Sequence, residues 1–310
     1  MDTLSALLDG PRANGAFLLR SVLSAPWALR VRDEAPLSIA VVVAGEAWVL
    51  GDDEHARLGP GDVMIARGPH PYTVADAPGT PPNIFIEPGQ HCVDAAGNSL
   101  EDVMTLGTRT WGNDIAGETL LVTGTYESTR AVSDRLLRSL PATLVLRADE
   151  WDGRLVDVLC EEMTRDELGQ EVYLDRLLDL VLIDAVRAWF AGDPARTPAW
   201  HRAAREPVVG PALQLLEDDV ARPWTLDVLA REIGVSRAAL ARRFTAAVGQ
   251  PPMAYLTDLR LDVAADLLRD PTMTIAAVAH RVGYGSAFAL SAAFKRVRGV
   301  SPSQHRVRAS

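Results

Sequence analysis

The chain has 310 residues, of which 48% are hydrophobic and 23% charged, with a formal net charge of −10. This composition belongs to globular proteins and excludes a disordered or low-complexity chain, and the length suits about two domains. The charge is uneven: residues 207–310 hold 13 Arg and Lys against 9 Asp and Glu, a net of +4, while the first 206 carry a net of −14. A basic end on an acidic body is expected when one domain meets phosphate and the other does not.

The first 20 residues lack a basic stretch leading into an apolar core, so no secretory signal is expected. The most apolar long segment, 172–190, is interrupted by Asp175, Arg176, Asp179, Asp184 and Arg187, which argues against a bilayer span. Two cysteines, Cys92 and Cys160, fit a reducing cytoplasm better than a disulfide scaffold. Up to about residue 140 the sequence is rich in Gly, Pro, Val and Thr. Short apolar runs at 38–43, 47–50, 63–66, 84–86 and 120–123 alternate with turn signals such as Gly51-Asp52-Asp53 and Gly59-Pro60-Gly61. That pattern predicts a β-sandwich or small barrel.

Residues 141–190 are expected to be helical. Leu155, Val158, Leu159 and Met163 recur at helical spacing, as do Leu174, Leu177, Leu178, Val181, Leu182, Ala185, Val186 and Trp189. Leu180 and Ile183 widen the apolar face of the second helix, which either packs on the β domain or also meets a second copy of the chain. Residues 191–207, with Gly192, Pro194, Pro198 and Pro207, read as a linker. Residues 208–310 read as helices throughout.

Those last helices contain a repeat. Ala230 and Gly234 match Ala279 and Gly283 at an offset of 49, whereas Leu240, Phe244, Gly249 and Pro252 match Leu290, Phe294, Gly299 and Pro302 at 50. The change of offset puts one extra residue in the second turn, at Tyr284-Gly285. Each copy has helix-turn-helix grammar. Thr225 and Thr274 are N-cap residues, Ala230 and Ala279 are small contacts, and Gly234 and Gly283 end the first helix in the left-handed conformation. Ser236 and Ser286 then cap second helices whose Leu240, Phe244, Leu290 and Phe294 face inward. Residues 253–268 predict one amphipathic helix joining the copies.

The segment 224–306 resembles the DNA-binding domain of AraC-type transcription regulators. The most specific part is Gly283-Tyr284-Gly285-Ser286, then Phe294-Lys295-Arg296, Gly299-Val300-Ser301-Pro302 and Arg306. The resemblance implies seven helices, with two recognition helices in successive major grooves of double-stranded DNA. On the first, Arg237, Ala238, Ala241 and Arg242 are the base-contact candidates; Arg242 suits bidentate bonding to a guanine edge. On the second, the outward positions Ala287, Phe288, Ser291 and Ala292 have little to offer a base edge beyond apolar contact with thymine. Ser236, Arg243, Ser286, Ser291, Lys295, Arg296 and Arg298 are the phosphate-contact candidates. The first unit is therefore expected to supply most of the sequence specificity and the second mainly affinity.

The N-terminal region resembles the cupin-like barrel that precedes this domain in many such regulators. The resemblance rests on Val43-Ala44-Gly45-Glu46-Ala47-Trp48, Leu58-Gly59-Pro60-Gly61-Asp62-Val63, Arg67-Gly68-Pro69-His70 and Arg138-Ser139-Leu140-Pro141. Metal-binding cupins carry His-x-His plus Glu and a later His. Here Gly51-Asp52-Asp53 stands where His-x-His would fall, and His55, His70 and His91 are scattered, so neither a metal nor another cofactor is expected, nor catalysis. Trp27, Trp48, Tyr72, Phe85 and Trp111 are core or pocket positions; Trp48, His70 and Tyr72 are the effector-pocket candidates. Cys92, next to His91, is a candidate redox thiol if the imidazolium lowers its pKa, and Cys160 is read as core.

The expected fold is thus α+β with two domains. Residues 1–190 form a cupin-like β-barrel with accessory helices at 141–190, and 208–310 form an all-α domain of two helix-turn-helix units joined by a helix. The expected protein is a cytoplasmic regulator with double-stranded DNA, a small-molecule effector and, for an activator, RNA polymerase as partners. It would act as a homodimer without membrane contact. The alternatives are a cupin-type metal enzyme fused to a DNA-binding domain, a redox-sensing regulator acting through Cys92, and a nonspecific architectural DNA binder.

Overall fold

The computed structural model describes residues 8, 13, 15–51, 55–128, 131–192 and 199–308. Of these, 13–132 and 137–192 form one compact unit, and 133–136 and 199–308, with Leu8, form another.

The first unit is built from 13 strands among the described residues. They are β1 (Phe17–Leu23), β2 (Ala28–Val31), β3 (Leu37–Ala44), β4 (Ala47–Leu50), β5 (His55–Leu58), β6 (Val63–Arg67), β7 (Tyr72–Ala75), β8 (Ile84–Glu87), β9 (His91–Val93), β10 (Thr105–Gly107), β11 (Thr110–Gly112), β12 (Thr119–Tyr126) and β13 (Thr143–Leu146). One sheet runs β10-β11-β1-β12-β3-β6-β13 and the other β5-β4-β7-β2-β8-β9. The sheets keep separate edges, so pairing does not close the barrel. Trp27, Val42, Val49, Met64, Val74, Ile84 and Leu121 are buried together in its interior. Strand alternation selects them: Ala47 and Val49 of β4 are buried and Trp48 between them faces away.

Three helices follow or interrupt the strands: α1 (Asp134–Ser139), α2 (Arg154–Glu162) and α3 (Gln170–Ala191). The region read as helical from 141 therefore begins with a strand, because Thr143–Leu146 pairs antiparallel with Val63–Ala66 and buries Leu144 and Leu146. The inward stripe of α2 is Val156 and Leu159, continued by Met163, while Val158 is 39% exposed. In α3 the whole predicted stripe from Leu174 to Trp189 is buried.

Two charged residues of α3 are buried as well. Asp175 accepts hydrogen bonds from the Gly15 and Ala16 N–H groups at 2.9 and 3.0 Å. Asp179 accepts from the Ala13 N–H at 2.8 Å and the Tyr126 hydroxyl at 3.1 Å. They occupy the turns between the apolar residues and satisfy backbone donors at the start of β1. At Gly124 of β12 a Cβ would lie 2.3 Å from a Leu178 methyl carbon, so any larger residue would require the Leu178 side chain to shift.

The second unit contains α4 (Ala199–Ala203), α5 (Val209–Asp218), α6 (Leu226–Ile233), α7 (Arg237–Val248), α8 (Pro252–Leu268), α9 (Ile275–Arg281), α10 (Ala287–Arg298) and α11 (Pro302–Arg308). Residues 193–198 of the expected linker lie outside the described residues. Its 199–203 portion is helical, and Ala203 is buried with Val209, Leu213, Leu240 and Phe244. The packed unit thus begins earlier than proline spacing suggested. A second cluster gathers Leu261, Ala265, Val278, Ala279, Leu290 and Phe294. Helix α8 supplies both clusters. Among the described residues no helix is long and apolar enough to cross a membrane.

Asp62 fixes the turn before β6. It accepts from the Gly59 and Ala148 N–H groups at 3.0 and 2.8 Å and pairs with Arg147 at 2.9 Å. Burial alone would raise its pKa, but these donors outweigh it and hold the carboxyl below its ordinary value. Its stabilising effect is present above the unfolded-state pKa near 3.8 and is lost as pH falls through the lower folded value. Asp62→Asn is expected to lower the midpoint of urea unfolding at pH 7, with the gap to the parent protein closing at strongly acid pH.

Candidate nucleic-acid interface and barrel cavity

Both helix-turn-helix units are built by the same local bonds. Thr225, Ser236, Thr274 and Ser286 each accept from the N–H three residues on, at 3.2, 3.2, 3.1 and 3.1 Å. These are the four caps expected from the sequence, and each satisfies a donor that its helix cannot. Gly234 and Gly283 have φ of +76° and +79°. Past them, the Val235 N–H bonds to Ala230 O at 3.0 Å and the Tyr284 N–H to Ala279 O at 2.8 Å. This six-to-one bond closes the first helix and turns the chain into the second.

The outward face of α7 carries Arg237, Ala238 and Arg242, all exposed, and half-buried Ala241. Arg237 makes an exposed pair with Asp227 at 3.0 Å, a contact of the kind worth little in water. Arg242 makes no ion pair among the described residues. Arg243, expected at phosphate, is instead held by Glu206, whose carboxylate also accepts the Val208 N–H at the start of α5. Burial raises the pKa of Glu206, but the Val209 and Val208 N–H groups and Arg243 together bring it below the ordinary value.

On α10, Lys295 and Arg296 are exposed and Ser291 is half-buried. Arg298, also expected at phosphate, pairs with Asp262 of α8, and both side chains are largely buried (17% and 14% exposed). Its guanidinium therefore joins α10 to α8. The same helix anchors a loop: Arg260 donates to Val220 O and Arg222 O at 2.9 and 2.7 Å. Arg306 of α11 donates to Leu268 O and Met273 O at 3.1 and 2.6 Å. Phe288, one of the outward positions of α10, is 83% exposed.

The barrel encloses a cavity of about 530 Å³, within the range of small-molecule sites. Tyr72 lines it, with Leu29, Met64, Trp111 and Leu121. Trp48 and His70 do not. Trp48 lies on the opposite face of β4, and His70 is exposed in the turn between β6 and β7. Strand parity could have excluded Trp48.

Cys92 lines the cavity, but not as an activated thiol. Burial, then the Glu101 carboxylate, pushes its pKa up to about 12. The His91 ring bonds to Glu101 at 3.0 Å. Cys160 is half-buried, and burial raises its pKa too.

Asp52 and Asp53 lie outside the described residues, His70 is exposed, and among the described residues no group of three His, Cys, Asp or Glu side chains is placed to hold a metal ion.

The chain matches the Cupin family model over residues 2–191 and the Helix-turn-helix domain model over 229–308. It is 32% identical to an AraC-like transcription regulator of Streptomyces antibioticus, covering 99% of this chain and 98% of that one. The chain belongs to the AraC-type transcription regulators. A similar protein of Streptomyces lividans is 30% identical with the same two coverages. The DNA-binding domain of AdpA, solved with a target DNA, is 27% identical over 33% of this chain and 91% of that one, with a TM-score of 0.31. This AraC-type regulator is a DNA-binding protein, with its cupin domain preceding the helix-turn-helix domain.

The two turn glycines of the regulator differ in their surroundings. A Cβ at Gly283 would lie 2.5 Å from Ala221 O, whereas one at Gly234 has nothing within 4 Å. Both alanine variants carry the left-handed penalty of about 1–2 kcal/mol. Gly283→Ala must add a backbone clash, so thermal unfolding is expected to show a larger loss than Gly234→Ala, with a matching drop in DNA affinity.

Proposed function

We propose that this regulator is a cytoplasmic one-component sensor whose barrel binds a small molecule and whose first recognition helix, α7, supplies most of the base readout. The reading of α7 is carried by Arg242, an exposed guanidinium on the outward face of a capped helix, with no ion pair to give up. Arg237 gives up only an exposed pair with Asp227. Ala238 and Ala241 leave room for close approach. Ser236 and Ser286 present capped helix N-termini to phosphate, and Ser291, Lys295 and Arg296 extend the anchoring surface along α10. Phe288 gives α10 an apolar contact suited to thymine methyl groups. Reading the barrel as a sensor rather than an enzyme rests on the relatives being transcription regulators.

Selection of genomic fragments with the purified protein, followed by footprinting, tests the DNA reading. A preferred site is expected; its absence would favour a nonspecific architectural binder. Arg242→Ala is expected to cost on the order of 1–3 kcal/mol on that site and relax preference at one position. Phe288→Ala is expected to weaken a thymine preference in the other half of the site. An unchanged base preference in Arg242→Ala would contradict the assignment.

The outer face of α3 supports a dimer. Val172, Tyr173 and Leu180 are 63%, 51% and 47% exposed there, and they lie on one arc of the helix with half-buried Ile183. A second copy of the chain would cover this apolar strip and place two DNA-binding domains together. Leu180→Arg is expected to shift the protein from dimer to monomer in sedimentation equilibrium.

A further inference from the structure

The barrel cavity is apolar within and acidic at one end. Two of its strands show the gradient directly. Along β2 the lining residues are Leu29, Val31 and then Asp33; along β12 they are Leu121, Thr123, Thr125 and then Glu127. The register puts these acidic ends together. Tyr126 pairs with Leu37, so Glu127 lies beside the chain that has just passed Asp33. Glu101 joins them through a chain of contacts: Gln90 donates to Asp33 at 2.7 Å, and the adjacent His91 bonds to Glu101 at 3.0 Å. No Lys or Arg lines the cavity; His91 does, with its ring bonded to Glu101.

Two uncharged groups on the wall respond to these carboxylates. Beyond the effect of burial, Glu101 raises the pKa of Cys92 and Asp33 raises that of Tyr72. Both shifts mark an interior that disfavours negative charge. An apolar wall also concentrates such a field, because little solvent screens it.

We infer that the barrel takes a lipophilic cation: an apolar body seated against Leu29, Met64, Trp111 and Leu121, with a protonated amine directed to Asp33, Glu101 and Glu127. A carboxylate or phosphate in the same place would meet three acidic residues, with His91, already bonded to Glu101, as the one basic lining residue. The ring of Trp111 adds a face that attracts cations. This inference rests on the barrel being a small-molecule sensor, and its test separates the two.

Isothermal titration calorimetry of the full-length protein would compare 4-phenylbutylamine, 4-phenylbutanol and 4-phenylbutyrate, which share a body and differ in charge. The amine is expected to bind roughly tenfold or more tighter than the alcohol, with the carboxylate weakest. Glu127→Gln, at an exposed rim position, is expected to narrow the gap between amine and alcohol. Combining it with Asp33→Asn and Glu101→Gln should abolish the gap. If the alcohol or the carboxylate binds as tightly as the amine, the cationic inference is overturned and the sensor reading stands. If none of the three binds, both are overturned.

Discussion

Two backbone hydrogen bonds, Val235 to Ala230 and Tyr284 to Ala279, set the directions in which α7 and α10 leave their turns. Each needs a left-handed residue just before it, and Gly234 and Gly283 adopt that conformation without strain. With the turns fixed, Leu240 and Phe244 in one unit and Leu290 and Phe294 in the other reach the core. What faces outward then follows by subtraction. The added Gly285 does not disturb this, because Ser286 starts the next helix with the same cap as Ser236.

The second dependence is on α8, which serves both cores and is held by arginines. Arg260, Arg298 and Arg306 bond to backbone carbonyls or to Asp262. A net charge of +4 in residues 207–310 therefore overstates the charge that faces solvent. Several of its cations hold helix ends and loops together. The positive charge left to face solvent is correspondingly smaller.

What was legible in the sequence was what is decided locally. Caps, turn glycines, the buried stripe of α3 and the core positions of both units depend on neighbours within a few residues, and all stand where spacing put them. Pairings with distant residues were not legible. Arg243 is claimed by Glu206 and Arg298 by Asp262, 37 and 36 residues away. Thr143–Leu146 became a strand because β6 offered an unpaired edge. Asp175 and Asp179 looked like interruptions of an apolar helix, yet they are buried because the chain before β1 supplies their donors. Of the cavity, only Tyr72 and Trp111 were legible. Its lining comes from residues spread over more than 100 positions, and only the sheet register brings Asp33, Glu101 and Glu127 to one end.

Thr125 faces the cavity, while its neighbour Tyr126 bonds to Asp179 of α3 and Gly124 touches Leu178. The cavity and the helix are thus separated by a partition one strand thick. Its two sides are alternate residues of the same chain. A stiff backbone has no slack between adjacent residues, so a shift of the wall on one side is a shift on the other. The helix so contacted is the one whose far face carries Leu180.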